Sequence, residues 1–249
     1  MYTLLILLIL IFIPIPVMMR HMLSGRNAYR GILEGSMSAM TGVALVFLLF
    51  WSMTGATFFE VLNSAMNQIS VDDMNLSSYY AMGMKDLEPD AMRHALENIK
   101  EITKLALPGT IIVLSMVTAY LNYAVISWAI HKSGKKISLL PPFRTFSLPR
   151  NVIMGSLIIY LLSYITVNMG IIDKSLMMFN LEMLFTFVFS IQGLAVIFYF
   201  GHSKKIPKLV LIIVSGIFIL TWLGQTFLFL LGLTDVVLDI RKRFSQAGI

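Results

Sequence analysis

Asn180 to Phe200 reads NLEMLFTFVFSIQGLAVIFYF, 21 residues that carry one charge, Glu182. A helix needs about 20 mostly apolar residues to cross the hydrocarbon of a bilayer. This run has that length, so the sequence predicts a membrane helix, the fifth span, from Met178 to Phe200. The rest of the chain has the same character. Its 249 residues are 57% hydrophobic and 13% charged, and its mean hydropathy is +0.82. A soluble domain carries about 25% charged residues. A chain so poor in charge is solvated mainly by lipid.

Outward from that span, further apolar runs follow the same rule. Thr3 to Met19 is a short first span, Met37 to Phe59 a second, Leu107 to Ile130 a third and Val152 to Met169 a fourth. After Pro207 an apolar run reaches Ile240, broken by Thr221-Trp222-Leu223-Gly224-Gln225. As one helix it would be about 48 Å long, well over one hydrocarbon thickness. A hairpin turning near Gly224 resolves the excess. The expected fold is all-α: a polytopic transmembrane helix bundle of about six to seven membrane helices, in a single integral membrane domain over residues 1–249. The segment 60–104 is expected as an extracytoplasmic helical insertion between spans two and three. Its apolar residues at Phe58, Leu62, Met66 and Ile69, then Met92, Leu96, Ile99 and Thr103, have helical spacing.

Charge sets the topology. Fourteen of the 19 Lys and Arg lie after span one, between spans three and four, after span five and at the chain end. With a terminal hairpin they share one side, which positive-inside bias makes cytoplasmic. Eight of the 13 acids lie between Glu60 and Glu101, on the opposite side. The expected place is the cell inner (cytoplasmic) membrane, with the carboxy terminus in the cytoplasm. The amino terminus then lies outside without a cleavable signal, which leads us to expect further helices upstream. The net charge of +6 is spread in short clusters between apolar runs, a pattern for anionic lipid and not for nucleic acid. Cysteine is absent, which removes thiolate catalysis and Cys-ligated metal sites.

Polar residues inside spans are the candidates for function, because leaving them unpaired in lipid is costly. Glu182 is the acid this reading places within a span, with Asn180 beside it and Gln192 deeper in the same helix. Asn122 offers an amide from span three, and Gln225 one from the terminal hairpin. Together they are the candidate ligand-binding residues, with Glu182 the contact for a cationic or hydrogen-bonding ligand. The competing reading is that such amides hold helices together, at about 0.6 kcal/mol per hydrogen bond. Gly35, Ser38, Ala39 and Gly42 form a small-residue stripe suited to close packing. The four histidines are read as interfacial polar residues. No metal-ligand spacing, nucleophile elbow or phosphate loop exists, so neither enzyme activity nor any cofactor is expected.

Between spans three and four lies LLPPFRTFSLPR, Leu139 to Arg150. Pro141 and Pro142 stop span three from continuing, and Pro149 holds Leu148 extended. The stretch reads as a rigid elbow. Phe143 and Phe146 can dip into the interface while Arg144, Arg150, Lys135 and Lys136 face headgroups or a cytoplasmic protein partner.

The order of Leu107-Pro108, HKSGKK, LLPPFRTFSLPR, the Asn180 to Phe200 run, KKIPK and LGLTDVVLDIRKR resembles the carboxy-terminal part of the YybS family. These are bacterial multi-pass membrane proteins whose conserved domain has no assigned function. The most specific pieces are Pro142-Phe143-Arg144 with Leu148-Pro149, the Asn180 to Gly193 run, and Gly232-Leu233-Thr234-Asp235 with its basic finish. The resemblance implies a fold like that of the substrate-binding membrane subunits of energy-coupling-factor transporters, and further amino-terminal helices. It brings no ligand residues to carry over. Two functions stay open: a small-molecule-binding or transport-related membrane component, and a non-transporting scaffold acting through its basic face.

Overall fold

The computed structural model describes residues 8–9, 11–24, 27–68, 89–133 and 139–246. Lys135 and Lys136 lie outside them, as do residues 69–88 and six residues of the expected first span, 3–7 and 10. All regular structure among the described residues is helical. The single domain expected from the sequence divides into two compact units, Met1–Ser138 and Leu139–Ile249.

The first unit contains α1 (Pro14–Leu23), α2 (Ala28–Thr54), α3 (Phe58–Asn67) and α4 (Pro89–Lys132). The small-residue stripe on α2 does what its composition predicts. A Cβ on Gly35 would lie 2.9 Å from Met18 Cγ, and one on Gly42 would lie 2.5 Å from Ile13 Cδ1. The side chains of Met18 and Ile13 therefore pack directly onto the α2 backbone at these glycines. Helix α2 begins and ends nine and five residues before the expected second span, for a local reason. Gly55 takes φ +70 and closes the helix, a conformation glycine adopts without the Cβ penalty. Thr57 then opens α3 with a capping box: its hydroxyl accepts from Glu60 N at 3.2 Å and Glu60 Oε2 accepts from Thr57 N at 2.7 Å. The second insertion helix is not separate. It runs on into span three as one 44-residue helix with Pro108 inside.

The second unit contains a 3₁₀ turn (Phe143–Thr145), α5 (Asn151–Asn168), α6 (Lys174–Ser203), α7 (Lys208–Leu220), α8 (Trp222–Leu238) and α9 (Ile240–Gln246). Its tightest contact is between α6 and α8. A Cβ on Gly193 would collide with the Leu228 carbonyl, and one on Gly232 with the Phe189 carbonyl and Gly193 N. Backbone lies on backbone here. Only glycine permits that approach.

Four helices are long and apolar enough to cross a membrane: α2, α4, α5 and α6. Helices α7 and α8 meet at 107° and add a fifth if they form one broken span. The expectation of six to seven exceeds this for two reasons. The described helix of the first span, α1, has only 10 residues, and the terminal run is cut into helices of 13 and 17 residues, each below the roughly 20 of a typical crossing. The cut falls at extended Thr221, whose Oγ1 accepts from Gly224 N at 3.3 Å. Gly224 lets α8 fold back against Phe218, where a Cβ would come within 2.5 Å of backbone. Outward faces are apolar, as lipid solvation requires: Ser163 is the buried residue of α5, while Met154, Leu157, Leu161 and Ile165 are exposed.

Replacing Gly193 or Gly232 with alanine forces α6 and α8 apart. The expected cost is about 1–3 kcal/mol, the usual range for overpacking, read as a fall in melting temperature of the purified protein. Gly155→Ala, where a Cβ meets open space, should leave the melting temperature unchanged or raise it.

Candidate functional site

The glycine crossing fixes what lies beside it. Gln192 on α6 and Asp235 on α8 are both buried, at 0% and 3% exposure, and Gln192 Nε2 donates to Asp235 Oδ2 at 2.5 Å. A buried carboxylate needs a cation as well as a hydrogen bond. Arg241 supplies it, 2.8 Å from Nη2 to Asp235 Oδ2, with Nε at 3.0 Å. Sequence proximity alone would not bring Arg241 back. Asp239 ends α8 in the left-handed region, φ 49 and ψ 49, and turns the chain so that Arg241 faces Asp235. A non-glycine residue there costs about 1–2 kcal/mol, least for Asp and Asn. Arg150 pairs with the Asp239 carboxylate and holds that corner.

The elbow closes the cluster. Arg241 Nη1 donates to the carbonyls of Arg144 and Phe146 at 3.1 and 2.8 Å. Gln192 Oε1 accepts from Leu148 N at 3.0 Å. Phe143 lies edge-on to Phe198 with centroids 5.6 Å apart, and stacks with Phe146. Residues placed at the membrane interface by sequence are thus tied by their backbone to the buried lock. Pro141, Pro142 and Pro149 keep the elbow out of an α-helix, and its one 3₁₀ turn leaves free the carbonyls that Arg241 takes.

A pocket of about 700 Å³ opens at the other end of α6. Glu182, Thr186 and Phe185 line it from α6, Gln225, Trp222 and Phe229 from α8, and Tyr160 from α5. Its volume lies within the range of small-molecule sites. Glu182 sits eight residues, about 12 Å, into α6. Among the described residues its carboxylate has no hydrogen-bond or ion-pair partner.

Of the residues singled out by sequence, Glu182 and Gln225 share this pocket. Asn180, two residues before Glu182, does not line the pocket and donates to Leu176 O at 2.6 Å. Gln192 is spent on the lock. Asn122 belongs to the first unit, where its amide donates to Ile11 O at 2.7 Å, beside Pro14 and Pro16, which lack donors. Arg144 and Arg150, read as headgroup contacts, differ: Arg150 is paired, whereas Arg144 has no side-chain partner among the described residues.

Two features escaped the sequence reading. Asp235 sits in the terminal apolar run as surely as Glu182 sits in its own, and its cation, Arg241, follows six residues later. His21, taken as interfacial, is buried and bonds Glu34 at 2.5 Å, with Arg30 on the other Glu34 oxygen at 3.0 Å. Neither pair follows from simple helical spacing. Among the described residues no three His, Cys, Asp or Glu side chains could hold a metal ion together.

The three most specific pieces of the resemblance meet in the lock: the elbow, the run ending at Gly193, and Gly232 to Asp235. A family model described as "Predicted membrane protein (DUF2232)" matches residues 1–236. The chain belongs to that family. It is 23% identical over 227 residues to the Uncharacterized protein YybS of Bacillus subtilis (strain 168), which covers 90% of this chain and 72% of that protein. No solved structure matches, so the likeness to energy-coupling-factor subunits rests on the resemblance alone. The family, the several apolar helices and the lipid-facing surfaces make this a multi-pass membrane protein.

Removing one partner of the lock leaves a buried charge behind. Asp235→Ala or Arg241→Ala should destabilise the second unit by about 3–5 kcal/mol. The loss would be seen as earlier melting and as protease cleavage within 139–150. The double variant Asp235→Leu with Arg241→Met should recover a large part of it.

Proposed function

We propose that this protein is a non-catalytic, membrane-embedded binding component that holds a small molecule in the Glu182 pocket for a transport process. One observation carries the reading: an unpartnered carboxylate in a membrane helix lines a pocket of about 700 Å³. Glu182 is exposed within the pocket, and a carboxylate in a membrane helix that lacks a protein partner favours a ligand of opposite charge. The rings of Tyr160, Phe185, Trp222 and Phe229 and the hydroxyls of Thr186 and Thr226 suit an organic cation with an apolar body. A bare metal ion would find one carboxylate and too few oxygens.

The protein belongs in the cell membrane with its carboxy terminus in the cytoplasm. Support comes from the basic clusters at Lys204, Lys205 and Lys208 and at Arg241 to Arg243, which fall at the end of the second unit away from Glu182. The pocket then opens outward. Because the chain has no cysteine, single replacements report topology directly. Ser175→Cys should label from outside intact cells and Ser245→Cys only after permeabilisation. The reverse pattern would turn the pocket inward.

Native mass spectrometry of protein purified in mild detergent tests the binding reading. The wild type should carry a small cationic adduct. Glu182→Gln should lose it at least about tenfold, equivalent to about 1.4 kcal/mol, while melting as the wild type does when stripped of ligand. An unliganded protein that reproducibly retains a cytoplasmic partner would instead establish the scaffold reading.

A further inference from the structure

A second pocket, of about 410 Å³, lies on the far side of the lock, bounded by Arg144, Ser147, Tyr199, Asp239, Arg241 and Lys242. Its charges do not cancel. Asp235 is matched by Arg241 and Asp239 by Arg150. Lys242 adds a cation at 3.6 Å from an Asp239 oxygen that Arg150 already holds. Arg144 adds another whose guanidinium has no partner among the described residues. Two positive charges are therefore left over. The donors around them are only lightly committed: Ser147 Oγ and Tyr199 Oη each reach their nearest carbonyl at 3.5 Å, the outer limit of a hydrogen bond. The pocket is positioned as well as charged. Arg241 clamps the Arg144 and Phe146 carbonyls, which fixes the backbone that carries the Arg144 side chain.

We propose that this pocket binds a phosphate-bearing anion, held by the Arg144 guanidinium and Lys242 with Ser147 and Tyr199 donating. A guanidinium presents paired donors that match phosphate oxygens, and an ammonium adds charge without fixed geometry. A chloride-sized ion would leave most of the volume empty. Tyr199 lies 17 residues, about 25 Å, along α6 from Glu182, close to the span of the hydrocarbon layer. The pocket therefore sits at headgroup depth, on the opposite end of the unit from the Glu182 site. The same chemistry serves a phospholipid headgroup or a soluble phosphate compound. The site is independent of the proposed ligand at Glu182 and stands if that reading fails.

Binding to the full chain in detergent separates the sources. The probes are phosphatidic acid, diacylglycerol as its phosphate-free counterpart, and inorganic phosphate, each followed by native mass spectrometry and melting temperature. Phosphatidic acid should bind at least tenfold better than diacylglycerol. Arg144→Ala and Lys242→Ala should each lose at least tenfold, with the lipid-free melting temperature of Arg144→Ala unchanged. Arg243→Ala removes the same charge next to the pocket and should change binding less than twofold. Competition by millimolar inorganic phosphate would identify a soluble phosphate as the sufficient ligand, and its absence a lipid headgroup; both support the site. The proposal is overturned if phosphatidic acid and phosphate both fail to bind, or if Arg243→Ala loses as much as Arg144→Ala, since diffuse charge would then explain the binding.

Discussion

The second unit depends on one close approach, the crossing of α6 and α8 at Gly193 and Gly232. Neither position tolerates a Cβ, because each would strike the carbonyl or amide of the opposite helix. Backbones this close leave no room for apolar side chains, so the residues flanking the crossing must fill the space themselves. Two of them, Gln192 and Asp235, are polar. In a low-dielectric interior they must be satisfied completely or they destabilise what the glycines create.

That requirement explains the peripheral chain. The Asp235 carboxylate calls for a cation, and Arg241 can reach it only because Asp239 reverses the helix. Arg241 has more donors than one carboxylate can take, and the surplus goes to the elbow carbonyls of Arg144 and Phe146. The elbow's own amide at Leu148 goes to Gln192. Proline at 141, 142 and 149 suits this arrangement, since an α-helical elbow would have used those groups internally, whereas the 3₁₀ turn at Phe143–Thr145 engages only the Pro142 and Phe143 carbonyls. The elbow, the glycine run and the basic finish form one hydrogen-bonded object. Their occurrence in a fixed order along the chain is a consequence of that object.

The helices were legible because their signal is local. An apolar run of membrane length has few alternatives, and α5 and α6 fall within a few residues of the expected spans. Ends were less legible where backbone conformation decided them. Gly55 at φ +70 and the Thr57 capping box cut the second span early, and neither outweighs an apolar average over 20 residues. Pro108, one residue into the expected third span, lies inside the longer helix α4, where a missing hydrogen bond is tolerated by neighbouring packing. The polar residues were found in part. Glu182 and Gln225, singled out as polar residues in separate apolar runs, line one pocket. Gln192 and Asn122 could be listed as polar, but their partners at Leu148, Asp235 and Ile11 are distant in sequence. Long-range pairing leaves no trace in spacing, which is why the lock was invisible and its basic end was read as a lipid anchor.

Comparing the two acids of the α6–α8 pair separates structure from function. Asp235 has a guanidinium, a glutamine amide and a backbone amide around it, and every one of those donors is fixed by the fold. Its charge is balanced within the protein, and it can do nothing further without breaking the unit. Glu182 lies on the same helix pair, in a wider part where the backbones have diverged enough to open a pocket. The fold provides it with aromatic walls and hydroxyls and with no cation. A structural carboxylate in a membrane helix is expected to be matched, because an unmatched one costs free energy in every copy of the protein. Glu182, without a cation among the described residues while Asp235 is matched in full, is the carboxylate that the proposed cationic ligand would balance. The lock holds α6 and α8 together at the basic end, and a helix pair fixed there would lower the ordering cost of the proposed binding at the other end.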